Sequence, residues 1–576
     1  MTPPSASAPP PQHLAIGPLV ERLRVARGEA AIVAPWIATC AESPDAMEHA
    51  LLRHLGGRRG QALESTPGRL EAYQDVVVGQ LAKRGFALVE RSPTASKAMG
   101  YTDLHAQASR LAATWADRGV AAASTIAIVM TPGIDSTVAL LAALRLGAIV
   151  SFIPPRGRSF VVHRLIVLTP DFLVASPELN ALLGVFSELN LPLTPTRSAI
   201  DGPPRGHSYE GSESVFRLFS PYARESFDLF DLTASDVLSA LLRGAFFGVA
   251  ADTSDVVAWP ELDDLTHEPL FTLATMLCGA TRVFCKTADL LVHPEWLADL
   301  KVTLVGIGPE LREYFLRVGP EAAPTIRGWL RDSTEPMAVE RTHALEKRVT
   351  SARWRRSDLF HVAAAGGLLS FGTTGQTASE NLAMPGPGMR WILLDLVGTG
   401  KPAVGTAGLF SRLTNDGPDR AASGFSYVKQ GDGWVLGGAA APWRYGRTYP
   451  RFEVCKAVRS LPFVEEVDVV LRGTGGNDGL ATVVVFVDPS LGSVSQYRGK
   501  WLRLIRETIA YELGEMYLPD DIALLPLRPR YTNKGQFDSA WLSSEWSSGA
   551  LDQKAADPIF VLFARIARMF APPRGD

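Results

Sequence analysis

Cysteine is scarce in this chain. The four present, Cys40, Cys278, Cys285 and Cys455, include no C-x-x-C pair and have few histidines near them. That spacing argues against a zinc site and against a disulfide framework, and it fits buried free thiols in a reducing cytoplasm. Long apolar runs are lacking too. The most apolar stretch, Ser136 to Pro155, holds Arg145 and ends in two prolines, so it reads as a buried helix running into a strand rather than a membrane span. The opening residues, MTPPSASAPPPQ, have neither the basic nor the apolar segment of a secretory leader. No charge sign dominates: 57 basic against 60 acidic residues leave a formal −3, which gives no electrostatic reason to expect nucleic acid or an anionic membrane as a partner. There is no internal repeat and no coiled coil.

What is present is an ordinary globular composition, 46% hydrophobic and 20% charged, in a chain of 576 residues that can bury a large core. Residues 1–95 read as a helical N-terminal extension whose first dozen residues, rich in Pro, Ser and Ala, are expected to be disordered. VERLRVARGEAAIVAPWI and DAMEHALLRHL both place apolar residues at i, i+3 and i+4. From residue 96 the pattern turns α/β. YTDLHAQASRLAATWADRGV is an amphipathic helix stopped at Gly119, and STIAIVM is a short apolar strand of the kind covered on both faces. TPGIDSTVALLAALRLGA is a second helix closed by Gly147, and IVSFIPP is the next strand. Helices alternating with apolar strands predict right-handed βαβ units. The texture breaks near residues 440–451. A compact α+β set follows over 441–545, and an apolar helical tail over 546–576.

Three stretches in this order resemble the adenylate-forming superfamily of acyl-CoA synthetases, nonribosomal adenylation domains and luciferases. They are YTDLHAQASRLAATWADRGV…TIAIVMTPGIDSTVALLAALRLGAIVSFIPP, then FGTTGQT…PGPGMRWILLD…GTAGLF, then FEVCKAVRSLPFVEEVDVVL…YLPDDIALLPLRPRYTNKG. The resemblance implies an α/β fold with a large multi-subdomain N-terminal domain over 96–440 and a small α+β C-terminal domain. It also implies a two-step reaction. A small carboxylic or amino acid attacks the α-phosphate of ATP, with Mg²⁺, to give an acyl-adenylate. A thiol, coenzyme A or the phosphopantetheine arm of a carrier protein, then takes the acyl group. The small domain rotates between the two steps.

The charge-handling positions of that family are mostly altered here. The phosphate loop should be small and Gly-rich so that backbone N–H groups reach the phosphates. The corresponding stretch offers Ser220, Pro221, Tyr222 and Arg224, and no glycine occurs between Gly211 and Gly244. FGTTGQT aligns with the family's adenine-side Y-G-x-T-E motif. On that alignment Phe371, Gly372, Thr373 and Thr374 are the nucleotide-binding positions, and Gly375 stands where the Mg²⁺-holding Glu belongs. A displaced phosphate loop and an unrelated Gly/Thr turn are the other readings of the same residues. The ribose-binding Asp position falls on Phe425 of Ser423-Gly424-Phe425, and the hinge Arg and acid are replaced by Gly438-Ala439-Ala440-Ala441-Pro442. Lys534, in RYTNKGQFD, is the one catalytic candidate left, with its Gly after it rather than before. No metal-ligand set is assigned. Each charge-assisted contact is worth roughly 1.5–3 kcal/mol, so losing four would remove many decades of transition-state stabilisation. The sequence therefore points to a cytoplasmic adenylate-forming-like protein that is weakly active or non-catalytic and binds a small ligand or a pathway partner. A functional acid–thiol ligase with rearranged residues is the alternative.

Overall fold

In the computed structural model of the chain, the residues described are 44–569 without 180–182, 197–205, 220–228, 333–338, 350–353, 375–380, 386–388, 393–405, 408, 415–416, 422–424, 431–432, 440–442, 445–446, 475–476, 489–493 and 534. Between 371 and 448 only the backbone path is described.

The helix Tyr101–Ala116 forms because Tyr101, Leu104, Ala108, Leu111 and Trp115 recur at helical spacing and are all buried. The strand Thr125–Val129 is buried at every position, as its unbroken apolar run requires, because helices cover both faces. The helix Ile134–Leu146 ends at Gly147, whose φ of +79° is the left-handed cap that glycine adopts without strain. Thr125–Val129 lies between Phe172–Ala175 and Ile149–Phe152, and Ser214–Phe219 follows, all parallel; Leu229–Thr233 closes this sheet antiparallel.

The larger sheet is built around parallel strands in the order Arg355–Val362, Gly328–Asp332, Leu304–Gly306, Val256–Ala258, Thr281–Phe284 and Phe86–Arg91. Antiparallel strands flank this run, Gly367–Thr374 on one side and Ser96–Gly100 on the other. The small C-terminal domain has its own sheet, Val464–Thr474, Asn477–Val487 and Asp521–Leu525, which shares no strand with the others among the described residues. The helices Arg451–Arg459 and Val494–Leu513 pack on it.

The expected helical extension over 1–95 needs correction. Pro44–Arg59 is a helix, but Phe86–Arg91 is a strand of the large sheet, hydrogen-bonded to Thr281–Phe284. Its register runs Leu88 to Arg282 and Glu90 to Phe284. FALVER is too short to show a period that separates strand from helix, and only its distant partner fixes it as a strand. No helix among the described residues is long and apolar enough to cross a membrane.

Candidate functional site

In open parallel sheets, ligands bind in the crevice beyond the carboxyl ends of the strands. Here both sheets deliver loops to such an edge. Ile149–Phe152 leads into Pro154, Pro155 and Arg156; Val256–Ala258 leads into Trp259 through His267; and Arg355–Val362 leads into Ala363–Gly366. Glu90, at the end of its strand, accepts from the N–H of Ile134 (3.0 Å) and so ties the two edges together.

The register carries Phe371, Gly372, Thr373 and Thr374 away from that edge. Their strand is the antiparallel return of a hairpin. Gly367 faces Val362 at the carboxyl edge, and Phe371 faces Leu359, further back. At about 3.3 Å per residue, Phe371 lies roughly 13 Å and Thr374 roughly 23 Å along the strand from Gly367. The four positions expected to hold the nucleotide therefore sit in the body of the sheet or towards its opposite edge. The residues that the topology brings to the crevice are His361 to Gly366. Motif letters cannot distinguish a parallel strand's exit from the hairpin strand that follows it, and the Gly366-Gly367 turn makes that difference.

Lys534, Ser423, Gly424, Ala440–Pro442 and the whole loop 220–228 lie outside the described residues. Phe425 is the first residue of a strand, opposite Ala439. Of the residues on either side of Lys534, Tyr531 bridges Phe537, the N–H of Thr532 donates to Gln536 O (2.7 Å), and Gly535 takes φ +76°.

Two side-chain groups at the carboxyl edge escaped the sequence reading. The first is a buried cluster of rings. His267 and His361 stack with centroids 5.3 Å apart, Phe271 meets His361 edge-on at 4.3 Å, and Trp259 lies 5.4 Å from Phe271. Nδ1 of His361 donates to Thr266 O (3.0 Å) and Nδ1 of His267 to Asp263 O (2.9 Å). Both Nε2 atoms and Trp259 Nε1 have no hydrogen-bond partner among the described residues, and His267 Nε2 is 3.6 Å from the carboxylate of Asp332. Burial, then the neighbouring His267, holds the pKa of His361 well below the usual imidazole value, so this ring is neutral. Beside the cluster, Arg282 stacks on Trp259 (4.5 Å) and reaches Glu268 (3.5 Å), and burial draws its pKa down to about 10. A cavity of about 10 Å³, lined by Ser136, Thr137, Glu268 and Thr272 among others, has room for one water.

The His361 shift has a consequence for stability. The folded pKa is lowered, so its contribution is fully present above the unfolded value near 6.5 and is lost as the pH falls below it. His361→Phe should make the acid limb of a stability–pH profile shallower by up to about 1.4 kcal/mol per pH unit below about pH 6. Urea titrations at stepped pH would measure it, and parallel limbs for the two proteins would refute it.

The second group is a seam between the domains. Arg156 donates to Asp263 and to the hydroxyl of Tyr517, and Ser159 donates to Glu512. Arg164 pairs with Glu453 (3.2 Å) and lies over the Phe160 ring (3.5 Å). Burial alone would lower the Arg156 pKa, but Asp263, with Tyr517 and Asp264, more than offsets it and the net shift is upward. Beneath these contacts Ile153, Phe160 and Leu165 share one buried apolar cluster with Val454, Val458 and Ile509 of the small domain. The sequence signals were present but carried no family letters: P-P-R-G directly after a strand, and an Asp-Asp…His run between strand and helix.

A family model described as AMP-binding enzyme matches residues 82–185. Over that stretch the chain is similar to AMP-binding enzymes, and it shares the fold of the adenylate-forming enzymes below. No curated protein matches it in sequence. Among solved structures, o-succinylbenzoate CoA synthetase of Bacillus subtilis, bound to a product analogue, superposes with a TM-score of 0.65 at 11% identity, covering 83% of this chain and 99% of that one. An artificially fused adenylation–carrier di-domain from Klebsiella oxytoca gives 0.61 at 13% identity, covering 79% and 94%. The Mycobacterium tuberculosis fatty acyl CoA synthetase gives 0.56 at 16%, covering 83% and 99%. At these identities the likeness is one of fold.

Neither His361–Gly366 at the edge nor Phe371–Thr374 on the return strand contains a carboxylate. No group of three metal-ligating side chains occurs among the described residues.

Proposed function

We propose that this adenylate-forming-fold protein does not carry out ATP-driven ligation, and that it serves a biosynthetic pathway in the cytoplasm as a binder of a small carboxylic or acyl ligand or as a non-catalytic partner. The observation that carries this reading is the seam. Ligases of the family swing the small domain between two half-reactions. A swing here would expose the apolar cluster under Phe160, break the hydrogen bonds of Arg156 to Tyr517 and of Ser159 to Glu512, and leave Arg164 and Glu453 as separated charges. Parting such a buried pair costs several kcal/mol, which no charged phosphate site among the residues described offsets. The altered phosphate loop, ribose position and hinge point the same way. The small unit is taken as 441–545, and the large unit, expected over 96–440, is extended at its start to include Phe86–Arg91. The names of the structural neighbours suggest the ligand chemistry: a small carboxylate, and a thiol arm of coenzyme A or a carrier protein.

The test is pyrophosphate release across a panel of carboxylic and amino acids, with melting curves at about 1 mM ATP–Mg²⁺, where a ligand well above its dissociation constant shifts the midpoint by several degrees. The expected result is no release and no shift. Robust release, abolished about 100-fold or more by Lys534→Ala as expected for one preorganised charge, would establish the working ligase instead.

A further inference from the structure

One contact across the seam between the domains depends on a proton. His163 lies on the helix Arg158–Leu168 of the large domain, and Lys456 on the helix Arg451–Arg459 of the small one. Lys456 Nζ and His163 Nε2 are 3.4 Å apart. A lysine ammonium has donors and no acceptor, so the hydrogen bond has one sense: Lys456 donates, and the bare Nε2 of a neutral His163 accepts. A second proton on this imidazole would go to Nε2. The bond would then be lost, and two cations would face each other at the same distance and repel.

The other charges around His163 do not cancel that repulsion. Glu453, on the same small-domain helix as Lys456, and Glu512, on the helix Val494–Leu513, favour the charged ring, and Arg164, next to it on its own helix, opposes it. Glu453 is already paired with Arg164, and Glu512 already accepts from Ser159. Burial, then Lys456, holds the His163 pKa below the usual imidazole value. A lowered folded pKa gives a contribution that is fully present above the unfolded value near 6.5 and is lost as the pH falls below it. When the small domain moves away, the ring leaves Lys456 and meets water, so protonation favours the undocked arrangement. Lys456 is exposed and His163 half-buried, so the ring can take its proton while the seam is closed. Water also screens the two charges, so the change is graded and not all-or-none.

We infer that His163 is a proton-sensitive catch on the small domain. Neutral, it accepts from Lys456 and helps to hold the seam closed. Protonated, it meets Lys456 as a like charge and loosens the seam at the rim of the apolar cluster that Phe160 and Leu165 share with Val454 and Val458. The inference rests on the docked arrangement of the two domains and not on whether the chain ligates.

The experiment is amide hydrogen exchange of the full chain at about pH 7.5 and about pH 5.5, either side of the ordinary imidazole value. Mass spectrometry reads the exchange, corrected for its intrinsic pH dependence. In wild type, protection of the helices Arg158–Leu168 and Arg451–Arg459 should fall several-fold at the lower pH. The helix Tyr101–Ala116, which packs in the other large apolar cluster, should keep its protection. His163→Gln retains an acceptor for Lys456 that takes no proton. It should match wild type at the higher pH and lose no seam protection at the lower. Lys456→Gln removes the second cation and should blunt the change. His361 is intact in both variants, so its own acid effect cancels in the comparison. A loss of equal size in wild type and His163→Gln would overturn the proposal. So would a Lys456→Gln protein as pH-sensitive as wild type, or a wild-type seam that does not respond. Pyrophosphate release plays no part in this measurement, so the catch and the non-catalytic reading fail separately.

Discussion

Replacing Gly157 with alanine is expected to weaken the docking of the small domain by about 2–4 kcal/mol, the upper range for overpacking against parts that cannot yield. Gly157 precedes the helix Arg158–Leu168 with φ −107° and ψ 175°, extended backbone that any residue adopts. The cost is therefore steric and not conformational. A methyl group there would overlap the main chain of Glu512 and Leu513, the last turn of the long helix of the small domain. Backbone on both sides cannot rotate away as a side chain could, so the two domains must separate slightly, and the apolar cluster beneath them opens. A chain of this size need not unfold in one step. The readouts are thus the urea transition reported by Trp501, which is buried in the small domain and stacked on Phe463, and the rate of proteolysis near residues 440–450. Gly499→Ala is the control. That glycine lies in the same helix with open space around it, and alanine there should stabilise by roughly 0.5–1 kcal/mol. If both alanines shift the transition alike, the seam is not a close backbone contact.

The sequence carried the fold further than it carried the site, and particular residues show why. Thr125–Val129, Ile134–Leu146 and Val494–Leu513 were legible because their signals are local: an unbroken apolar run, a helical period, a glycine stop. Phe86–Arg91 was not legible, because its strand character comes from Thr281–Phe284, nearly two hundred residues away. The nucleotide positions were read from motif letters alone. Phe371–Thr374 carries family letters, but the crevice is defined by strand direction, and direction is decided by the Gly366-Gly367 turn and by pairing with Leu359 and Val362. The buried His267–His361 stack and the Arg156–Asp263 pair belong to no motif. Each joins residues about one hundred positions apart, so nothing in a local window could have connected them.

Arg156→Met is expected to cost about 3–5 kcal/mol, the range for leaving one buried charge without its partner. Arg156 and Asp263 are both below a tenth exposed at the side chain, so water cannot reach the carboxylate that the substitution strands. The arginine also lies over the rings of Phe160 (5.1 Å) and Tyr517 (5.6 Å). Methionine keeps most of that apolar contact, and the loss measured is therefore mainly electrostatic. Asp263→Leu alone should cost a similar amount by stranding the guanidinium. It should cost about 1 kcal/mol more because Asp263 also caps the short helix Asp264–His267 through the N–H of Leu265 (3.1 Å). The double variant decides what the pair is for. With both charges gone, nothing is left unsolvated, and an apolar replacement of a buried pair is often neutral or better. The cycle should therefore be strongly non-additive, with the double variant recovering most of the stability and losing only about 1 kcal/mol for the cap. Its small domain should then be held by the apolar cluster, Ser159–Glu512 and Arg164–Glu453, without the Arg156–Tyr517 hydrogen bond, and be freer to turn. If the double variant gains pyrophosphate release that wild type lacks, the pair acts as a latch on a competent site, and the non-catalytic reading falls. If it is as stable as expected and still silent, the missing phosphate and metal residues, and not the seam, are what keep the protein from ligation.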